Sequence, residues 1–160
     1  MVRRLASVVH LSLLIGVVTW GCGPDFSKCD ATSERALMVW SGDSVAGEPL
    51  KDGGMLQLNF FAQGGMGVTL TSALAGVDGF TDVNNLVVTL EFDGETIAAY
   101  DSSSVEKVDC TADGLLELND IDLSVNYYDI DYMLINSGTL SVSVNDGEMI
   151  TKEISVTFGY

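Results

Sequence analysis

Histidine is almost missing from this 160-residue chain, and His10 is the only one. It sits inside an apolar leader, so the sequence beyond that leader has no imidazole at all. A Ser-His-Asp or Cys-His triad cannot be built there, nor can a zinc site that needs histidine or several cysteines. Cysteine is scarce too, with Cys22, Cys29 and Cys110 making an odd set of three. Basic residues are few, with 7 Lys and Arg against 23 Asp and Glu, and a formal charge of −16. That balance repels nucleic acid and anionic headgroups, and Arg35, Lys51, Lys107 and Lys152 are too scattered to form a basic patch. No strand-to-helix Gly-x-Gly-x-x-Gly or P-loop pattern offers a phosphate cradle. Nothing in the composition calls for a cofactor. Only 2 prolines occur, beside 17 glycines and abundant Val, Thr, Leu and Ile, which describes a folded β domain rather than a disordered tail.

What is present begins with the leader. Arg3 and Arg4 are its only charges, and Leu5 to Val18 form an apolar stretch that ends at Gly21-Cys22. A positive segment, an apolar segment of this length and a small residue before the cut are the marks of an export signal. The stretch is too short, and too abruptly followed by Gly23-Pro24-Asp25, to span a bilayer well. Val18-Thr19-Trp20-Gly21-Cys22 reads as a bacterial lipoprotein cleavage site, with Trp20 a bulky departure two residues before the cysteine. Lipidation of Cys22 accounts for the odd cysteine count in an exported protein and leaves Cys29 with Cys110. Ordinary signal cleavage, with Cys22 free or paired to another cysteine, is the alternative. Several acyl tails at about 0.8 kcal/mol per buried methylene make a stable anchor. Gly23 rather than Asp after the cysteine directs the protein to the outer membrane, with a periplasmic or secreted form as the alternative.

The chain thus divides into a signal peptide at 1–21, a tether at 22–35 and one domain at 36–160. In that domain, apolar–polar alternation recurs between turn signals. Strands are expected at Leu37–Trp40, Met55–Asn59, Val68–Leu74, Leu86–Phe92, Thr96–Tyr100, Leu115–Leu118, Ile121–Val125, Leu140–Val144 and Ile150–Phe158. Asp93-Gly94 and Asp146-Gly147 stand between alternating runs as hairpin turns. Eight or nine short strands without a convincing amphipathic helix imply an all-β antiparallel sandwich. An immunoglobulin-like arrangement is the first choice and a jelly roll the second. A Cys29–Cys110 bridge would staple the tether end of the domain to a mid-chain strand.

Pro49-Leu50, Asp52-Gly53, Leu56, Leu58 and Gln63-Gly64-Gly65-Met66-Gly67-Val68 lead into a β-run that ends near Leu74. Over residues 18–100 this resembles a group of uncharacterised myxobacterial-type lipoproteins. Their leaders end in Gly-Cys-Gly or similar, and a Gln-Gly-Gly motif opens a long strand of an Ig-like domain. The resemblance implies envelope location and an Ig-like fold, and it implies no activity. Where those proteins often carry a histidine two residues after the second glycine, this chain has Gly67, so no metal role carries over.

Carboxylates are the remaining reactive set, and a glycosidase would need two of them, one held protonated by apolar surroundings. Asp120-Ile121-Asp122 and Asp129-Ile130-Asp131 offer oxygens at alternate positions, the ligand type calcium takes, although neither fits an EF-hand loop. For the first pair a simpler account suffices, with Ile121, Leu123 and Val125 inward and Asp120, Asp122 and Ser124 in water. Tyr127, Tyr128 and Tyr132 bracket Asp129 and Asp131, a combination able to hold a sugar or a cationic side chain. The plainer alternative has one or two rings capping the sandwich and the acids on a solvated turn. The sequence therefore points to a lipid-anchored, non-catalytic binding or structural module that meets an envelope protein or glycan. A calcium-dependent adhesion module comes next and a carboxylate-based envelope hydrolase last.

Overall fold

The computed structural model describes residues 24–61 and 65–160. The leader, Cys22 and Gln63-Gly64 lie outside the described residues. Eleven strands and one short helix follow in order: β1 (Ala36–Ser41), β2 (Gly54–Gln57), β3 (Asn59–Phe60), β4 (Met66–Ala75), β5 (Asn84–Phe92), β6 (Glu95–Ser102), β7 (Lys107–Cys110), β8 (Leu116–Leu118), β9 (Ile121–Val125), α1 (Ile130–Leu134), β10 (Ser137–Asn145) and β11 (Met149–Gly159). One sheet runs β1-β4-β8-β7, with β3 and β9 also paired to β4, and the other runs β2-β11-β10-β5-β6. All pairings are antiparallel except β2 with β11.

Immunoglobulin sandwiches order their sheets A-B-E-D and G-F-C, with C′ added in the variable type. Taking β1, β4, β8–β9 and β7 as A, B, E and D, and β11, β10, β5 and β6 as G, F, C and C′, reproduces both orders. The expected sandwich is therefore observed, in its immunoglobulin-like form rather than as a jelly roll. The chain is cut more finely than its alternation implies. Leu58 crosses between sheets, so the expected strand at 55–59 becomes β2 in one sheet and β3 in the other. The segments β8 and β9 share one lane beside β4, interrupted at Asn119-Asp120, where the partner register steps by one residue.

Strand alternation builds the core. Leu86, Val88, Leu90, Leu140, Val142, Val144, Ile154 and Val156 face Leu37, Val39, Leu70, Leu74, Leu116, Ile121 and Leu123, all buried. Strand β4 is buried on both faces, because its outer side is small and covered: Gly67 lies beneath the Phe61 ring, and Thr71 is buried beside the lane of Trp40. Full burial of each large side chain contributes about 1.5–3 kcal/mol, so this layer carries most of the stability.

Asp93-Gly94 makes the expected two-residue hairpin, with both residues at positive φ (53° and 79°) between Phe92 and Glu95. Asp146-Gly147 behaves differently. Its loop spans three residues between Asn145 and Met149, and the Asp146 side chain is buried under the Arg35 guanidinium, which also reaches Glu148 at 3.2 Å. That partner arrives from far away in sequence, so two look-alike motifs take two conformations.

Segment 24–35 is fastened to the domain rather than hanging free. Cys29 is bonded to Cys110 at the end of β7, a loop of 81 residues. The Asp25 N–H donates to the Asp109 carboxylate at 2.7 Å and the Asp30 N–H to the Gly114 carbonyl at 2.9 Å. Lys107 donates to the Gly79 and Thr81 carbonyls while lying over the Phe26 ring. The Thr32 and Ser33 hydroxyls, then the Thr32 N–H, hold the Asp30 carboxyl down at about 2. All these contacts gather at the end of the sandwich formed by the β4–β5, β7–β8 and β10–β11 loops.

Candidate functional site

The opposite end is built from the β5–β6 turn, the β9–β10 connection with α1, and the lower ends of β3 and β11. Chain direction explains the arrangement. Strand β9 descends to Val125, and β10 must start at the same end, so residues 126–136 are left to close the bottom of the core. Asp129 caps α1 by accepting from the Tyr132 N–H at 3.0 Å, and buried Met133 plugs the sandwich from the helix.

The five residues singled out in the sequence separate into two groups here. Tyr127 and Tyr132 pack edge-on against Phe92, with ring centroids 4.9 and 5.8 Å away. They cap the core, as the plainer alternative had it. Burial raises the Tyr127 phenol, helped by the charges of Asp93 and Asp129, the Tyr132 phenol and the charge of Glu95. Tyr128, Asp129 and Asp131 instead line an open depression of about 590 Å³ together with Ile130 and Tyr160. Tyr128 is 93% exposed. Tyr160 stacks on Phe60 at 5.7 Å with an interplanar angle of 18°, and both rings are mostly in water.

Sequence reasoning missed Phe60, Ile130 and Tyr160. Phe60 and Tyr160 meet because β2 runs parallel to β11 and hands the chain to β3 beside its end. Such a long-range parallel pairing leaves no local pattern.

Searches of protein-family models and of curated proteins find no match to this chain.

The other candidate chemistry resolves as follows. Asp122 accepts from the Thr69 hydroxyl at 2.7 Å and Asp120 from the Thr71 hydroxyl at 2.6 Å, so each acid is tied to β4. Among the described residues, no three His, Cys, Asp or Glu side chains converge as metal ligands. Asp129 and Asp131 share the depression and are both exposed. Among the described residues, no helix is long and apolar enough to cross a membrane. Cys22, the lipidation candidate, lies outside the described residues.

Proposed function

We propose that this chain is a lipid-anchored, non-catalytic envelope module whose immunoglobulin-like body presents its α1 end to a partner. One observation carries the reading. The segment that follows Cys22 is bonded and hydrogen-bonded to one end of the sandwich, while the depression with its exposed rings opens at the other. An anchor at Cys22 would then hold the depression away from the bilayer by the length of the domain. Exposed aromatic rings beside acids that no basic side chain among the described residues pairs are what a recognition surface needs and what a sandwich core does not. The outer membrane is the proposed location, since Gly23 follows the cysteine.

Intact-mass analysis of the protein recovered from envelope membranes tests the anchor. The expected product begins at Cys22, carries acyl chains, and is two hydrogen atoms lighter for the Cys29–Cys110 bond. Cys22→Ser should release the protein from the membrane fraction. An unacylated product, cut elsewhere and found in the soluble fraction, would overturn the anchored reading.

A further inference from the structure

We propose that the depression at the α1 end binds a cationic side chain, arginine or lysine, presented by a partner polypeptide. This rests on the binding-module reading and names its ligand class.

The first argument is that the rings are spare. The bottom of the core is already closed by Phe92, Met133, Tyr127 and Tyr132. Tyr128 and the Phe60–Tyr160 stack contribute little to that closure, and Tyr128 and the outer faces of the stack stay in water. An aromatic face attracts a cation within about 6 Å of its centroid.

The second argument is charge. Asp129 and Asp131 line the same depression as Tyr128 and Tyr160. Asp93 and Glu95 stand close enough to act on the neighbouring Tyr127 phenol. Among the described residues, none of the five basic side chains answers these acids. Lys28 pairs with Asp25, Arg35 with Asp146 and Glu148, and Lys51 with Glu48. Lys107 is held by two carbonyls of the β4–β5 loop, and Lys152 lies on β11 opposite Val142, in the half toward the Asp146 turn. Among the described residues, the charged side chains at the α1 end are therefore all acidic.

Other occupants fit less well. Nucleic acid and a second copy of this chain would each bring negative charge onto negative charge. A neutral glycan would use the rings and leave the carboxylates without counter-charge. A guanidinium satisfies both, stacking on a ring while donating to a carboxylate.

Full-length protein in non-ionic detergent is titrated with a fluorescent Arg-Gly-Arg-Gly-Arg peptide, a Gly-Ser peptide of equal length, and cellohexaose. The arginine peptide should bind and the Gly-Ser peptide should not. Tyr128→Ala, which changes no charge, should weaken the arginine peptide about threefold. Asp131→Asn should weaken it about fivefold. Asp113→Asn, the same charge change at the other end, should leave it within the scatter of the wild type. If Tyr128→Ala is silent and Asp131→Asn equals Asp113→Asn, attraction is merely diffuse and the proposal fails. If cellohexaose binds through Tyr128 and the arginine peptide does not, the ligand class is wrong while the binding module stands. If neither binds, the cationic-ligand proposal fails, while the anchored-module reading stands or falls by the intact mass.

Discussion

At the scale of single residues, three positions carry consequences that burial decides. Gly67 faces outward on β4, where an added Cβ would meet the Phe61 ring and the Leu123 carbonyl. The carbonyl belongs to a paired strand and cannot move aside, so Gly67→Ala should cost about 2–3 kcal/mol of stability in urea unfolding. Ser72 is the reverse case. It is buried on the core side of β4 between Leu70 and Leu74, and its hydroxyl has no partner among the described residues. Ser72→Ala should stabilise by about 1 kcal/mol, since it removes an unsatisfied donor without opening much space. Glu117, on β8, has its carboxyl raised above the ordinary 4.5, first by burial and then by the charges of Asp120 and Asp109. A raised acid favours the folded state most below its ordinary pKa, and that advantage is lost as pH rises through the folded value. Glu117→Gln should therefore raise the melting temperature at pH 7 and leave it unchanged near pH 4 or below. Gly67 stood out in the sequence only as the residue at a motif's histidine position, and Ser72 and Glu117 did not stand out at all. Their importance comes from what lies across the sheet.

At the scale of elements, legibility followed length and locality. Long alternating runs such as β5, β10 and β11 were readable because one face is core and the other is water. Strand β7 was not, since Lys107–Cys110 is four residues long and is fixed by its pairing with β8 and by the bridge to Cys29. Helix α1 was missed because five residues hold no helical period, and it exists through the Asp129 cap and the burial of Met133. The exposed half of the candidate site, Tyr128 with Asp129 and Asp131, was legible as composition, whereas Phe60 and Tyr160 required the tertiary pairing. The disulfide acts at this scale. Closing 81 residues removes loop entropy from the unfolded chain worth roughly 4–5 kcal/mol in the chain-entropy model. Replacing Cys29 and Cys110 together with serine should lower the urea midpoint accordingly. The same variant should speed amide exchange first in residues 24–35, where the Asp25 and Asp30 N–H groups, the Phe26 ring and Arg35 are the remaining ties. A loss of protection spread evenly over both sheets would show instead that the bridge supports the core itself.

At the scale of the whole molecule, the strand order creates two ends with different chemistry. The end fastened to segment 24–35 gathers Lys28, Arg35, Lys107, the disulfide and the exposed Phe80 ring, together with Asp25, Asp30, Asp109, Asp146 and Glu148. With Cys22 acylated as proposed, the exposed Phe80 ring would face the headgroup layer, where aromatic groups settle. The far end carries acids, exposed aromatic rings and the exposed Ile135, and none of the basic side chains among the described residues lies there. The proposed anchor, joined to the domain at the disulfide end, would hold the domain upright. Strand β4, with ten residues, separates the two ends, and at about 3.3 Å per residue its length is roughly 33 Å. The acylated protein, labelled at Phe80→Cys or Tyr128→Cys with a fluorescent donor, is bound to vesicles carrying a surface acceptor. Both positions are exposed, so neither label disturbs the core. Transfer should be near complete from position 80 and weak from position 128, with a fitted height difference of about 30 Å. Equal transfer from the two positions would mean that the domain lies on its side. The depression would then face along the membrane rather than away from it, and its partner would have to be a neighbour in the same leaflet.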